Sequence, residues 1–402
     1  MPPSDDILAW ALGVIAAATT IYTLALAVRF ARALRHTPRL VDPPTTPRTD
    51  APSLCVMCAA RDEQATIGAF ARSVLAQTYT NLRLMVVLDR CTDDTESALR
   101  TAATTPDGAP DPRLEVLHNT ESPGAFNAKA HALDRALQRA ESPRTAELLL
   151  ITDADARLQP TCLAAAVATL ESLDADALSL FASMPCSRWW DLTLQPVFML
   201  EFLRRYPLDR VNDDRRMDLA LANGPFTLVR RDAYAAAGGH RDIPDNLLED
   251  ATLGRRLRST GKRLRVLPSR ALLRIERDLT WPEYRRRWVR NLSGITAHPA
   301  ARATRLFLTG TLFPLACTGA GALGVARLAE GLPGAAVLLG VAVLSLLVIG
   351  ATLIPAYRVQ DRPTLAILLY PFGAALGAAI MVRATTAGVS SWARDALQDS
   401  PS

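Results

Sequence analysis

Asp153 and Asp155 stand one residue apart in Asp153-Ala154-Asp155, directly after the apolar run Leu148, Leu149, Leu150, Ile151. Side chains two apart on extended chain share a face, so the two carboxylates can converge on one hard cation such as Mg2+ or Mn2+. A cation held there would neutralise a diphosphate. Placement counts for more than the triplet, which is ordinarily a solvated loop. An unbroken apolar run reads as a strand buried on both faces, and open α/β sheets bind ligands beyond the carboxyl ends of such strands. Other polar groups that could do chemistry are Asp62 and Glu63, Asp89, Asp93 and Asp94, Lys129, Glu249 and Asp250, and Arg285, Arg286 and Arg287 beside Trp288. Each has a plainer reading as well. Asp62, Asp93 and Asp94 suit turns and helix caps, Lys129 a solvated helix face, Glu249-Asp250 the first turn of a basic helix, and the arginines with Trp288 a membrane-surface helix.

The elements that would position these groups alternate. Leu54–Ala59 reads as a buried strand ending in Ala60-Arg61-Asp62-Glu63, and Thr66–Gln77 carries Ile67, Phe70, Val74 and Leu75 on one helical stripe. Leu82–Leu88 is a second strand finishing at Asp89, with Thr92 to Thr95 opening the next helix. Leu114–Leu117 is a third strand, Ala128–Ala140 a helix, and Leu148–Thr152 the fourth strand. This spacing predicts a mostly parallel sheet with right-handed crossovers.

At 402 residues, 49% hydrophobic but only 6% aromatic, the chain is more apolar than an ordinary soluble one, and the excess sits at its ends. Ile7–Val28 has no charged side chain and can span roughly 30 Å of hydrocarbon as a helix. Arg29, Arg32, Arg35 and His36 follow it, which predicts an uncleaved anchor with its C-terminal flank in the cytosol. Three further uncharged stretches lie near Leu306–Ala326, Gly334–Tyr357 and Pro363–Val382, and Arg302, Arg305, Arg358 and Arg362 fall on the cytosolic side if the spans alternate. The expected organisation is an anchor (1–36), a Pro/Thr-rich linker (37–52), a cytosolic domain (53–300), C-terminal transmembrane helices (301–390) and a tail (391–402). The net charge of +5 is carried almost wholly by arginine, since Lys129 and Lys262 are the only lysines. A basic membrane-proximal surface suits anionic headgroups or a nucleoside diphosphate, and no nucleic-acid recognition motif accompanies it. Cys55 and Cys58 are three apart on a strand and face opposite ways, as buried thiols do and zinc ligands do not.

In order, Ala60-Arg61-Asp62-Glu63, Asp89 with Asp93-Asp94-Thr95, Lys129 after a glycine loop, and Asp153-Ala154-Asp155 resemble the nucleotide-sugar half of the family 2 glycosyltransferases of GT-A fold. Ala222-Asn223-Gly224-Pro225-Phe226, Arg230 to Tyr234, Gly238-Gly239-His240, Leu248-Glu249-Asp250 and Tyr284 to Trp288 resemble the acceptor half. The order of motifs, with Val211-Asn212-Asp213 before Ala222, is most similar to the membrane-bound subgroup that glycosylates carotenoids, hopanoids or ceramide. The resemblance implies an α/β GT-A domain flanked by transmembrane helices, one N-terminal and about three C-terminal. It implies that Ala60, Arg61, Asp62, Glu63 and Asp89 meet the nucleoside, that Lys129 lies near the base or diphosphate, and that Asp155 with Asp153 holds a divalent metal, Mg2+ or Mn2+. It implies too that Asp250, beside Glu249, is the general base, that Arg287 and Trp288 close over the donor, and that Asn223, Gly224 and Tyr284 lie on the acceptor side. The family commonly has Asn in place of Asp62 and Gln in place of Tyr284.

Attack of a hydroxyl on an anomeric carbon needs a base on the acceptor side and positive charge on the departing diphosphate. The expected activity is therefore that of an inverting hexosyltransferase in the inner membrane, with its catalytic domain cytoplasmic. It would use a nucleotide-diphosphate sugar and a lipid acceptor. A polysaccharide synthase and a membrane scaffold that has kept the fold without turnover are the alternatives, and a transporter is disfavoured by the scarcity of charge in the tail spans.

Overall fold

The structure, a computed structural model, describes residues 4–43, 50–184, 188–244, 248–269, 272–276, 279–295, 299–359 and 364–386. Residues 44–49 of the linker, Cys186, Ser187, Arg362 and residues 387–402, the expected tail among them, lie outside them. In chain order the helices are α1 (Ser4–His36), α2 (Ile67–Leu75), α3 (Thr95–Ala102), α4 (Ala128–Arg139), α5 (Ser142–Thr145), α6 (Cys162–Ser172), α7 (Trp189–Arg205), α8 (Leu208–Val211), α9 (Arg231–Ala236), α10 (Glu249–Ser259), α11 (Trp281–Ile295), α12 (Pro299–Phe307), α13 (Phe313–Ala329), α14 (Ala335–Val359) and α15 (Tyr370–Thr386). The strands are β1 (Leu54–Ala60), β2 (Leu82–Asp89), β3 (Leu114–Asn119), β4 (Leu148–Thr152), β5 (Ala156–Leu158), β6 (Ala177–Phe181), β7 (Phe226–Arg230), β8 (Leu264–Pro268) and β9 (Leu273–Ile275).

The chain gathers into two compact units. One takes Arg35–Pro185 and Tyr206–Arg277, the other Met1–Leu34, Cys186–Arg205 and Asp278–Ser402. In the first, seven strands pair in the order β3-β2-β1-β4-β7-β6-β8. All contacts are parallel except those of β7, which runs against both β4 and β6. Every residue of β4 is buried, as its unbroken apolar run requires, and β1 is buried at all but one position. Helix α2 buries Ile67, Phe70, Ala71 and Val74, one stripe at helical spacing. The path from β1 through α2 to β2 goes to one side, whereas α4 returns the chain from β3 across β1 to β4. Strand order reverses beside β1, which puts the ligand crevice at the carboxyl ends of β1 and β4.

The reversed strand bears most on function. Because Thr152 pairs with Phe226 and Leu148 with Arg230, β7 begins where β4 ends. The segment before Phe226 is thereby delivered to the edge that carries Asp153. A two-stranded ribbon, β5 with β9, follows the Asp pair.

The second unit is helical. Among the described residues four helices are long and apolar enough to cross a membrane: Ala9–His36, Ala300–Ala329, Ala335–Ile354 and Leu365–Ala384. The first meets α14 through hydroxyls, with Thr20 and Ser345 at 2.6 Å and Ser345 donating to the Ala16 carbonyl at 3.0 Å. Helix α7 joins this unit by burying Leu194, Val197 and Phe198 with residues of α15. Gly373 makes that contact possible, since a Cβ there would stand 2.3 Å from the Thr193 carbonyl oxygen.

Candidate active site

Strand β4 ends at Thr152, whose hydroxyl donates to the Pro225 carbonyl at 2.8 Å and ties the Asp turn to the turn before β7. Asn223 fixes that second turn. Its backbone N–H donates to Ser179 Oγ at 2.8 Å, and its side-chain amide donates to the Leu180 carbonyl at 2.7 Å. Gly224 is left with a bare Cα facing the crevice. A Cβ built on it would lie 3.1 Å from Asp250 Oδ2, 3.6 Å from Lys129 Nζ and 3.7 Å from Asp153 Oδ2.

Each of those side chains comes from a helix start or a strand end. Lys129 is in the first turn of α4, where the Asn127 side chain caps the helix by accepting from Ala130 N–H at 3.0 Å. Glu249 and Asp250 open α10, at the end of the helix dipole that favours negative charge. Asp250 Oδ2 accepts from Gly224 N–H at 2.8 Å, and its Oδ1 from Ala251 N–H at 2.6 Å. Lys129 Nζ lies 2.5 Å from Asp153 Oδ1 and 2.9 Å from Glu249 Oε1. The structure thus brings Asp153, Lys129, Glu249, Asp250 and Gly224 to one place.

The charges differ because the partners do. Burial, and then the neighbouring Glu249 carboxylate, push Asp250 up to about 7, against the pull of Lys129 and the two N–H donors. Glu249 feels burial in the same sense, but the Lys129 ammonium outweighs it and holds the carboxyl below its usual range. For Lys129, burial favours loss of the proton, and Asp153 with Glu249 overcomes it, leaving the ammonium firmly charged. One carboxyl of the pair is an anion locked to a lysine, and the other is poised to take a proton near neutrality.

The remaining expected residues fall into three groups. Asp155 is buried just past β4, and its backbone carbonyl accepts from Glu276 N–H at 2.9 Å. Ala60, Arg61, Asp62, Glu63 and Asp89 line the carboxyl ends of β1 and β2, where several serve the fold. Asp62, with φ of +52°, accepts from Thr92 N–H at 2.7 Å, joining the two loops. Glu63 accepts from Thr66 Oγ1 at 2.6 Å at the start of α2. Buried Asp89 accepts from Arg90 Nη2 and Asn119 Nδ2, each at 2.6 Å. Tyr284, Arg287 and Trp288 belong to α11 in the helical unit, where Tyr284 donates to Gln195 Oε1 at 3.3 Å and Trp288 stacks on Phe198 with centroids 4.0 Å apart.

A family model described as Glycosyltransferase like family 2 matches residues 51–294, more than half of the chain. The chain belongs to that family. The fold of this glycosyltransferase is similar to that of the mannosyltransferase PcManGT from Pyrobaculum calidifontis, solved with GDP-Man and Mn2+ (TM-score 0.51, 23% identity, 94% of this chain and 99% of that one). Two structures align less fully. Glucosyl-3-phosphoglycerate synthase from Mycobacterium tuberculosis, solved with Mn2+, UDP and glucosyl-3-phosphoglycerate, has a TM-score of 0.38 at 19% identity over 61% of this chain and 80% of that one. S. aureus TarS has 0.41 at 15% over 66% and 49%. No curated protein matches the sequence.

The glycosyltransferase's own residues suit a divalent cation. Asp153, Glu249 and Asp250 set three carboxyls against the ammonium of Lys129, a cluster poor in positive charge, and Asp155 follows two residues after the first of them. Among the described residues no three His, Cys, Asp or Glu side chains are grouped so as to hold a metal ion by themselves. Mg2+ and Mn2+ sites completed by substrate phosphates need only one or two protein carboxylates.

Sequence reasoning gave His240 no role of its own. The structure buries it behind α10, with Tyr234 Oη 2.7 Å from its Nδ1 and its own N–H donating back to Tyr234 Oη at 3.1 Å. Burial lowers His240 to about 4, so it stays neutral beside the Glu249 and Lys129 charges. The signal was Gly238-Gly239: both take positive φ, and a Cβ on Gly239 would stand 2.5 Å from the Tyr234 ring.

Proposed function

We propose that this glycosyltransferase is membrane-bound and inverting, and that it moves a sugar from a nucleotide-diphosphate donor to a lipid acceptor of isoprenoid, carotenoid, hopanoid or sphingolipid-like chemistry. The reaction takes place at the cytosolic face of the inner membrane. The observation that carries the reading is Asp250. It is a carboxyl pushed up to about 7, facing the same bare Cα as Asp153 yet bonded to backbone N–H groups and not to the lysine. A base so placed takes the proton of an acceptor hydroxyl as its oxygen attacks the anomeric carbon opposite the diphosphate, and a single displacement inverts that carbon. Hydrolases need a second carboxyl acting on the leaving group, and this arrangement does not.

Ala60, Arg61, Asp62, Glu63 and Asp89 hold the nucleoside end, and the Asn223-Gly224 turn forms the floor on which sugar and acceptor meet. On the family resemblance Arg287 meets phosphate, with Trp288 and Tyr284 beside the acceptor. Asp155 and Asp153 would hold a divalent cation, which would supply Lewis-acid neutralisation of a diphosphate. The lipid acceptor follows from the four apolar helices, and the cytosolic orientation from Arg29, Arg32 and Arg35 after the first of them.

The test is a panel of radiolabelled nucleotide sugars offered to membranes containing the protein, followed by organic extraction. Label in the organic phase supports the reading. Label in an insoluble polymer makes the protein a polysaccharide synthase, and no transfer from any donor makes it a scaffold.

A further inference from the structure

We propose that Lys129 is the resident counter-ion of the donor-cation site: its ammonium competes with the divalent cation for Asp153 and yields when a nucleoside diphosphate arrives. The inference rests on the reading of Asp153 and Asp155 as the cation's ligands. Lys129 Nζ stands 2.5 Å from Asp153 Oδ1, so that oxygen is already paired with a full positive charge. A divalent ion on the same carboxylate meets that charge at contact range, where like charges repel strongly in a half-buried site. The ammonium has somewhere to go. Glu249 Oε1, 2.9 Å away, keeps one end of the exchange fixed, and the stem has only to rotate.

The choice of residue fits this task. The chain has two lysines among 45 basic residues, and one of them is here. A guanidinium would grip the carboxylate with two donors in a rigid fork, whereas an ammonium is a compact charge on a flexible stem that changes partners cheaply. The donor phosphates add the negative charge that makes the exchange favourable, because they offer the displaced lysine a second partner. Cation and nucleotide therefore bind with positive coupling, and Lys129 is its source. The cation alone binds poorly, and the empty enzyme holds Asp153 and Glu249 together with the lysine.

The test is Mn2+ binding to the detergent-solubilised full-length protein, read by electron paramagnetic resonance of free Mn2+, without nucleotide and with UDP or GDP, against protein-free controls. Lys129→Met should bind Mn2+ alone about tenfold more tightly than the wild type, and nucleotide should then tighten it by a smaller factor. Lys129→Arg, which keeps the charge and the grip, should bind no more tightly than the wild type. Lys129→Gln is the second uncharged variant if methionine disturbs folding, with the same expected direction. If the uncharged variants bind Mn2+ no better while Asp155→Asn abolishes binding, the competition is overturned and the cation reading stands. If Asp155→Asn binds Mn2+ as the wild type does, or if no form binds it, the cation reading itself falls and this inference with it.

Discussion

Asp153 and Glu249 are held by one ammonium, Lys129 Nζ, at 2.5 and 2.9 Å. The first carboxylate follows the end of β4, and the second opens α10. Joining them fixes the spacing between strand end and helix start, and the consequences can be measured.

Asp250→Asn keeps the shape of the side chain and removes its basicity. Transfer should fall by about 10^2 to 10^4-fold with nucleotide affinity unchanged, read from initial rates and a nucleotide titration. Transfer surviving at a tenth of the wild-type rate or better would place the base elsewhere.

The pH profile follows from the same residue. Only ionised Asp250 can accept a proton, so kcat/KM should rise with pH up to about 7 and level off above it. Glu249 is the second cause of the upward shift, after burial, so Glu249→Gln should move the acid limb to lower pH. A limb that stayed in place would mean that another group sets it.

Gly254 tests how α10 is held. A Cβ there would lie 2.5 Å from the Ala222 nitrogen and 2.7 Å from the Leu221 carbonyl carbon, both backbone atoms that cannot swing aside. Gly254→Ala should push α10 away from the Asn223-Gly224 turn, costing about 1–3 kcal/mol in stability and lengthening the Asp250 to Gly224 bond. Thermal melting in detergent and the transfer rate should fall together, and a normal rate would show that α10 can shift without harm.

Tyr234→Phe deletes the hydroxyl shared with His240 and leaves two buried polar groups without it, at about 1–3 kcal/mol. His240 adds a pH dependence of defined sign. The unfolded chain takes up a proton near 6.5, which the folded site refuses until about 4, so this residue's contribution to stability declines as pH falls across that interval. Melting temperatures at pH 7 and 5 for the wild type and His240→Gln would reveal it, since the variant should lose less on acidification.

The first four strands were legible because each is an apolar run closed by polar residues. Leu148–Thr152 appears with its expected bounds, and β1 gains one residue. The apolar helices were legible for the same reason. Strand β7 was not: only Phe226, Leu228 and Val229 in it are strongly apolar, and its place between β4 and β6 depends on antiparallel partners far away in the sequence. At the site, residue types signalled the carboxylates, but hydrogen bonds decide what each one does. Asp93 takes the plainer role, accepting from Thr95 N–H at 3.0 Å, and Asp94 makes no side-chain cap bond although it occupies the N-cap position. Nothing in the helix that carries Lys129 reveals that two carboxylates from elsewhere in the sequence meet it.

Helix α7 is encoded between β6 and β7 but packs with the helical unit, so ribosomal synthesis interleaves the two units. When α7 emerges, β4 still lacks the strand that will cover its exposed edge. A fragment ending at residue 277 would own every strand of the large sheet, yet would carry a 17-residue helix whose Leu194, Val197 and Phe198 had lost α15. Clipping the two termini therefore leaves the apolar face of α7 uncovered in the middle of the remaining chain.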